Sequence, residues 1–339
     1  MLHKRKRFLV TGGAGFIGSA FIRYGLKQIG FCEKIVNLDL LTYAGNLKNL
    51  LDSDGDPRYQ FVQGDIRNER LVDALCREHD IEAIVHFAAE THVDRSIEGP
   101  RSFYDTNVGG TLSLLEVVRA LPHIHFHHIS TDEVYGSLSG AGFFSETSPY
   151  QPNSPYAASK AASDHFVKAY AHTYGLSVTM SHCTNNYGPF QNKEKFIPRM
   201  LSSCMQKLPL PVFGKGINVR DWLFVDDHAE ALWLILEKGE SGEIYDIGGE
   251  CEKRNIDVVH LLIDEFAELS GQDAKELRKL IAFVPDRPGH DLRYAIDCSK
   301  IKMELGWRPL HDFSLGIRKT VAWYLEHPDW ICKRREAVC

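Results

Sequence analysis

The chain has 339 residues, of which 44% are hydrophobic and 25% charged, and its formal net charge is −6. These values predict an ordinary globular protein with one large and one smaller domain, and no apolar run approaches the roughly 20 residues of a membrane helix. The acidic balance argues against nucleic acid as a partner, so we interpret the basic run KRKR near the start as a solvated stretch.

Short runs rich in Val, Ile and Phe alternate with helical patterns in the first half of the chain, which predicts repeated βαβ units and a parallel sheet. Candidate strands lie at 7–11, 34–38, 59–63, 83–87, 125–130 and 177–182. Candidate helices lie near 15–30, 68–79, 101–121 and 155–174. After about residue 190, prolines punctuate shorter elements, which indicates a smaller mixed α+β lobe.

A glycine-rich turn, TGGAGFIG, follows the first predicted strand. Gly13, Gly15 and Gly18 form a G-x-G-x-x-G pattern, and Gly12 extends it. Glycines let the backbone turn tightly and approach a pyrophosphate, whose charge is met by the N–H groups of the next helix. Asp39 ends KIVNLD, where a carboxylate binds ribose hydroxyls and repels a 2′-phosphate. The pattern predicts a Rossmann-type, doubly wound domain that binds NAD.

Residues after the third and fourth predicted strands extend this expected site. Asp65 and Ile66 in GDIR would lie at the adenine. Ala88 and Ala89 are small residues at a strand end, where they would let a cofactor pass. A purely structural role for these four residues stays open as an alternative.

Tyr156 and Lys160 lie four residues apart on one face of a predicted helix. An ammonium beside a phenol lowers the phenol's pKa, so the tyrosine could act as a base, although a lone Y-x-x-x-K is usually a surface pair. After a dinucleotide fingerprint it resembles the short-chain dehydrogenase/reductase superfamily, and here its extended, nucleotide-sugar branch. That resemblance implies that the tyrosine takes a proton from a substrate hydroxyl, and that the lysine also holds the nicotinamide ribose.

Thr131, Asp132 and Glu133 end the predicted strand in HHISTDEVYG. Adjacent carboxylates need either an exposed loop or partners, and an exposed acidic turn stays an alternative. Expulsion of water from a sugar would use both groups, since one removes the proton next to a ketone while the other protonates the departing hydroxyl. The motif resembles the dTDP-glucose 4,6-dehydratases, which implies Asp132 as general acid, Glu133 as general base, and Thr131 beside Tyr156 at the 4-oxygen.

This resemblance covers nearly the whole chain, in motifs that include NSPYAASKA, NNYGP and RPGHDLRYAID. It implies that residues 189–339 are mainly a sugar-nucleotide-binding lobe, after a cofactor domain over 1–188 that also carries the catalytic residues. The implied catalytic residues are Thr131, Asp132, Glu133, Tyr156 and Lys160. The implied cofactor contacts are Gly12, Gly15, Phe16, Ile17, Gly18, Asp39, Thr42, Asp65, Ile66, Ala88, Ala89, Thr106, Tyr156, Lys160 and Asn186. The implied substrate contacts are Thr91, Thr131, Asn185, Lys195, Arg220, Asn255, Arg287 and His290.

Two departures from the family pattern stand out. Asn192 and Lys193 precede EK where the family usually has phenylalanine and proline, which leaves open the course of that loop and the contacts of Lys195. His182 stands where an arginine is usual before NNYGP. Neither departure touches the expected catalytic group.

Histidines and cysteines give weaker signals. His123, His125, His127 and His128 lie close together, but the expected chemistry requires no ion, so we predict surface or packed histidines and no metal site. Eight scattered cysteines form no C-x-x-C, which favours reduced thiols in a cytoplasmic protein.

The family resemblance further implies a homodimer through the helices near 101–121 and 155–174. Alternative activities are a UDP-glucose 4,6-dehydratase, or an epimerase or decarboxylase of the same branch. A non-catalytic nucleotide-sugar sensor is the alternative from a different class.

Overall fold

The computed structural model describes residues 5–28 and 30–332. In chain order, strands β1 to β12 span Arg7–Thr11, Lys34–Asp39, Tyr59–Gln63, Ala83–His86, His125–Thr131, Val178–Cys183, Asn185–Tyr187, Leu210–Phe213, Val219–Phe224, Ile244–Ile247, Glu252–Arg254 and Ile281–Val284. Seven of them form a parallel sheet in the order β10-β6-β5-β4-β1-β2-β3. A second sheet has the order β11-β9-β7, and β12 pairs with β8.

Helices α1 to α12 span Phe16–Lys27, Glu69–Glu78, Val93–Glu98, Pro100–Phe103, Thr111–Ala120, Pro155–Tyr174, Phe196–Gln206, Val225–Lys238, Asn255–Ser270, Ala274–Arg278, Ser299–Leu305 and Phe313–Glu326. A π-helical turn at Tyr104–Gly110 joins α4 to α5, and a 3₁₀ turn at Asp132–Tyr135 follows β5. Further 3₁₀ turns lie at Leu47–Ser53 and Pro328–Trp330. Within the described ranges, no helix is both long and apolar enough to cross a membrane.

The six predicted strands are present, and each of their ends lies within one residue of the predicted position. Strands β4 and β5 are buried along their whole length, because helices cover both faces of a parallel sheet. The fold is the predicted Rossmann-type α/β architecture.

The helix predicted over 101–121 is instead three elements, namely α4, the π-helical turn and α5. Inside the turn, the carbonyl oxygen of Asn107 accepts hydrogen bonds from the hydroxyl groups of Thr111 and Ser163, at 2.6 and 2.7 Å. Single π-turns inside helices often lie at functional sites, and this one brings Thr106 to the cavity described below.

Helix α6 begins and ends where its sequence predicts. Ser154 caps the first turn by accepting a hydrogen bond from the backbone of Ala157, and Pro155 occupies the first helical position. Gly175 ends the helix in the left-handed conformation, with φ of 68°. These signals fix the register of a helix that carries both Tyr156 and Lys160.

The chain does not divide cleanly at residue 188. Strand β10 joins the large sheet beside β6, although it comes from the second segment. Helix α8 packs on α1, where Trp233 stacks on Phe21 at 4.5 Å, and a Cβ atom at Gly25 would lie 2.1 Å from the Trp233 ring. Helix α8 and strand β10 therefore pack with the first lobe, and the boundary at residue 188 stays a prediction.

The second lobe has its own apolar core between α7, α9, α12 and the small sheets. Tyr187, Trp222 and Phe313 pack against one another at its centre, with ring centroids 5.2 to 6.2 Å apart. This core includes Trp222 and Phe224 of β9, the central strand of the second sheet.

Candidate active site

A cavity of about 300 Å³ opens at the carboxyl ends of β1, β2, β4, β5 and β6. Ligands bind at this edge in doubly wound sheets. The predicted site residues that line it are Gly12, Gly15, Phe16, Ile17, Gly18, Asp39, Thr42, Asp65, Ile66, Ala88, Ala89, Thr91, Thr106, Thr131, Asp132, Glu133, Tyr156, Lys160, Asn185, Asn186 and Lys195. Motifs far apart in the sequence thus meet in one cavity.

The glycine turn leaves no room for side chains. Gly12 has φ of +71°, and a Cβ atom there would lie 2.5 Å from the Ala88 nitrogen. A Cβ atom at Gly18 would lie 2.5 Å from the Gly12 carbonyl oxygen. Helix α1 begins after Gly15 without a side-chain cap, so its first N–H groups are available to an anion. This turn fits the diphosphate of a dinucleotide.

Two carboxylates follow β2 and β3 at the cavity wall. Asp39 accepts hydrogen bonds from the backbone of Ala14 at 2.9 Å and of Leu41 at 2.8 Å, while burial raises its pKa. Asp65 is held by the Arg67 side chain, which lowers the pKa of Asp65. The backbone therefore fixes the orientation of Asp39 in the position that suits ribose hydroxyls.

Tyr156 and Lys160 are both buried on the first turns of α6. The Lys160 ammonium donates to the Ile129 carbonyl oxygen at 2.8 Å and lies 3.4 Å from His128 Nε2. Burial lowers the pKa of Lys160 to about 8. Its side chain is thus anchored to β5 rather than to the Tyr156 hydroxyl.

The pKa of Tyr156 is not lowered in the chain alone, whereas the position of Lys160 predicts that it should be. Burial raises that pKa well above its usual value, and the neighbouring Glu133 carboxylate adds to the rise. A hydrogen bond from Thr131 acts in the opposite direction. In the chain alone, Tyr156 is therefore held as a neutral phenol.

Asp132 and Glu133, called the cleft pair below, lie in the 3₁₀ turn after β5. Asp132 is only 2% exposed, which rules out the exposed acidic turn. Burial and the adjacent Glu133 raise its pKa well above the usual value, and its Oδ2 is buried without a hydrogen bond. Burial also raises the pKa of Glu133, but Arg220 and Arg287 counteract it. The two carboxyl groups thus have unlike environments, with Asp132 the one held protonated.

Three cations face Glu133 from the second lobe and the cleft rim. Lys195 donates to the Thr91 carbonyl oxygen at 2.9 Å. Arg220 lies over the Tyr294 ring at 4.3 Å, and Arg287 lies 3.3 Å from Asp94. Each of these three cations lowers the pKa of Glu133. Together they form a positive wall suited to a diphosphate.

Arg220 and Arg287 do not line the cavity itself, and neither do Asn255 and His290. Asn255 begins α9, where its backbone N–H donates to the Asn218 carbonyl oxygen at 2.9 Å. His290 Nδ1 lies 2.5 Å from Asp286, while its Nε2 is buried without a partner. The predicted substrate contacts of Asn255 and His290 stay predictions.

The unusual loop before Lys195 is held against the cofactor side of the cleft. Asn192 donates to the Tyr43 carbonyl oxygen at 3.3 Å and accepts from the Glu194 backbone at 2.9 Å. Sequence reasoning did not single out several other residues that line the cavity, namely Tyr43, Glu90, His92, Cys183, Thr184, Gln191 and Glu194. Most of them lie next to the recognised motifs in the sequence, and this proximity is the feature by which they could have been identified.

The clustered histidines of β5 are packed side chains. His125 lies 2.9 Å from both Ser177 and Thr179, and burial lowers its pKa to about 3. His127 lies 2.8 Å from the same Thr179 hydroxyl. The seven cysteines in the described ranges are free thiols, and Cys339 lies outside those ranges, as does Lys4 of the basic run KRKR.

The fold and this cavity define a member of the nucleotide-sugar-modifying short-chain dehydrogenases. Residues 9–320 match the family model for GDP-mannose 4,6 dehydratase, and the chain belongs to that family.

Relatives give a finer comparison. The dTDP-glucose 4,6-dehydratase of Xanthomonas campestris pv. campestris strain B100 is 52% identical over 336 residues, covering 96% of this chain and 94% of the relative. The Streptomyces venezuelae structure of DesIV, a dTDP-glucose 4,6-dehydratase with NAD and TYD bound, has a TM-score of 0.89 at 47% identity, covering 96% of this chain and 98% of that one. The Bacillus anthracis dTDP-glucose 4,6-dehydratase in complex with NAD has a TM-score of 0.87 at 46% identity, with the same coverage. The family resemblance of the motifs is confirmed.

Proposed function

We propose that the protein is an NAD-dependent hydro-lyase that converts dTDP-glucose to dTDP-4-keto-6-deoxyglucose. The observation that carries this proposal is the cleft pair beside Tyr156, in which Asp132 is buried with no hydrogen bond at its Oδ2, whereas three cations face Glu133. An oxidation and re-reduction at one carbon needs no such pair, whereas an elimination needs both an acid and a base.

The glycine turn and Asp39 would hold NAD, with the diphosphate at the start of α1 and a ribose at the carboxylate. Bound NAD would supply the hydride chemistry, which is acceptance of a hydride from carbon 4 and its later return at carbon 6. Lys160 would bind the nicotinamide ribose from the floor of the cavity.

Tyr156 would accept the proton of the 4-hydroxyl group, and Thr131 would hydrogen-bond the same oxygen. Lys160 supports this step by its positive charge, because an ammonium favours the ionised phenol. Water exclusion also matters, since Tyr156 and Lys160 are both buried.

Glu133 would remove the proton from carbon 5, which the neighbouring 4-ketone makes acidic. The three facing cations favour its carboxylate form. Asp132 would give its proton to the departing 6-hydroxyl group, which leaves as water. Glu133 then returns its proton to carbon 5, so only Asp132 ends this stage one proton short.

Proton counting shows what a complete cycle requires. Tyr156 gains the 4-hydroxyl proton, while Asp132 loses one proton to water. One proton must therefore leave Tyr156 and one must reach Asp132 before the next cycle. The Thr131 hydroxyl hydrogen-bonds Tyr156 and lies 3.3 Å from Asp132 Oδ1, so it offers a short path between the two.

The cations at Lys195, Arg220 and Arg287 would bind the substrate diphosphate, with arginine adding bidentate hydrogen bonds. A homodimer through the segments 101–121 and 155–174 is also part of the proposal, and the exposed rings of Tyr104, Phe166 and Tyr174 support it. A cytoplasmic location stays a prediction from the cysteine pattern.

Product analysis tests this function directly. Purified protein is incubated with dTDP-glucose and, separately, UDP-glucose, with and without added NAD, and the products are examined by mass spectrometry and proton NMR. Loss of one water with a new 6-methyl signal is expected, and dTDP-glucose should react faster. An epimer of unchanged mass would instead indicate a 4-epimerase, and unchanged ligand in all four reactions would favour a binding protein.

A further inference from the structure

Behind the cavity lies a set of buried ionisable side chains, here called the back cluster, made of His128, Lys160, Asp164, His182 and Asp246. His128 Nε2 lies 3.4 Å from the Lys160 ammonium and 3.1 Å from Asp164 Oδ1. The His182 ring lies between Asp164 and Asp246, at 3.1 Å from each carboxylate. The cluster therefore runs without a break from the floor of the cavity to β10.

The contacts of His182 define its charge. Its Nε2 faces Asp164 and its Nδ1 faces Asp246, and both carboxylates are fully buried. The hydroxyl groups of Tyr150 and Tyr135 also lie 2.9 Å from Nε2 and Nδ1, respectively. A neutral imidazole carries one N–H group and leaves the other nitrogen as an acceptor, which would repel one of the two carboxylates. The doubly protonated ring satisfies both, and these two partners raise the pKa of His182 to about 9 despite its burial.

Among the five members of the back cluster, the charges balance when Lys160 is included. Two carboxylates and one imidazolium sum to one negative charge, and the Lys160 ammonium neutralises it. An unbalanced buried charge is costly, so the cluster favours the protonated lysine. The other titratable groups facing Lys160 are His86 and His128, which burial keeps neutral, Cys183, whose pKa burial raises to about 12, and Tyr156.

We propose that Asp164 and His182 are positioning residues that set the protonation state of Lys160. The Asp164 carboxylate favours the lysine ammonium, and the His182 imidazolium opposes it, so the two residues act in opposite directions. Ser130 fixes Asp164 by donating to its Oδ2 at 2.9 Å. The link to catalysis rests on the proposed function, because it acts only through the charge that Lys160 presents to Tyr156.

Nuclear magnetic resonance of the full-length protein with ¹³C-labelled lysine tests the proposal without any turnover. The Lys160 signal is identified as the one missing from Lys160→Met, and its pKa is read from a pH titration. Asp164→Asn should lower that pKa by about one unit or more, and His182→Asn should raise it.

Tyr135→Phe is the matched control. The Tyr135 hydroxyl lies 2.9 Å from His182 and donates to Asp246 at 3.0 Å, so its loss disturbs the same cluster without changing a charge. The Lys160 pKa should then move much less than in either charge variant. An unchanged pKa in Asp164→Asn or His182→Asn, or shifts of the same sign in both, overturns the proposal.

The unsubstituted protein gives a second test that does not depend on a variant folding. With ¹⁵N-labelled histidine, both ring nitrogens of His182 should be protonated at about pH 7, whereas His125 should be neutral. A neutral His182 at that pH refutes the charge assignment. Failure of the proposed function would show in product analysis and would leave these signals unaffected.

Discussion

The cleft pair and the back cluster each contain a fully buried aspartate, yet the pKa of Asp132 is raised and that of Asp164 is lowered. Asp132 has one weak contact, with the Thr131 hydroxyl at 3.3 Å, and its other oxygen has no hydrogen bond. Asp164 accepts from Ser130 at 2.9 Å and lies 3.1 Å from the His182 ring.

Burial alone therefore does not decide the charge of a carboxyl group in this protein. Hydrogen-bond donors and neighbouring charges decide whether the carboxyl group is ionised. The residue after Asp132 is a second acidic residue, Glu133. The proposed chemistry uses the contrast, since a proton donor must be neutral before the reaction, whereas the counter-ion of a lysine must be ionised.

The largest expected effect is on turnover. Asp132→Asn removes the transferable proton while keeping the shape of the side chain, so turnover should fall by about 10²- to 10⁴-fold. Formation of the 4-keto-6-deoxy product, followed by proton NMR, measures it. Binding of dTDP-glucose by the variant is the control, and near-normal turnover would remove Asp132 from the role of acid.

For the free energy of unfolding, we expect Asp164→Asn to have a larger effect than Asp132→Asn. Asp164→Asn leaves the His182 charge and Lys160 with one counter-ion fewer, which should cost about 3–5 kcal/mol of unfolding free energy. Asp132→Asn replaces a neutral group by a neutral group and should cost less than about 1 kcal/mol. Urea unfolding at neutral pH measures both, and equal losses would mean that the two aspartates carry the same charge.

The pH dependence of stability should separate the two regions further. The pKa of Asp132 is raised above its unfolded value of about 3.9, so its contribution is complete below that pH and is lost as the pH rises through the folded pKa. The pKa of Asp164 is lowered, so its contribution exists above about pH 4 and is lost as the pH falls through the folded pKa.

The curve of unfolding free energy against pH, measured from acid to neutral pH, should therefore have a different shape in each variant. Asp132→Asn should reduce the decline in unfolding free energy above about pH 4. Asp164→Asn should reduce the rise in unfolding free energy between strongly acidic pH and about pH 4. Curves that stay parallel to that of the parent protein would contradict both pKa directions.

The smallest expected effect tests where the back cluster ends. Lys168 is half-buried and donates to the Tyr150 hydroxyl at 3.3 Å, outside the charge balance proposed for the cluster. Lys168→Met should cost less than about 1 kcal/mol of unfolding free energy, as for other partly solvated charges. A loss comparable to that of Asp164→Asn would place Lys168 within the cluster.

Local patterns account for what the sequence predicted well. The glycine turn, Asp39 and the six strand positions each depend on neighbours in the chain, so alternation of apolar and turn residues reveals them. The direction of the Lys160 side chain depends instead on the Ile129 carbonyl oxygen of another element, which four-residue spacing on a helix cannot show.

Long-range contacts explain what the sequence did not reveal. Ser130, Asp164, His182 and Asp246 come from β5, α6, β6 and β10, and no motif joins them. His182 was recognisable only as a departure from the family pattern, and its two carboxylate partners appear only in the fold. The family resemblance predicted Arg220 and Arg287 as substrate contacts, but it did not predict that they lie near Glu133.

Strand β10 has a consequence for how the protein is made. It borders β6, so the edge of the large sheet stays open until residues 244–247 have been synthesised, about 60 residues after β6. Until then β6 presents unpaired backbone groups, and His182 lacks one of its two carboxylates. We therefore expect the first lobe to be incomplete on this side, and prone to association, until much of the second lobe has emerged during synthesis.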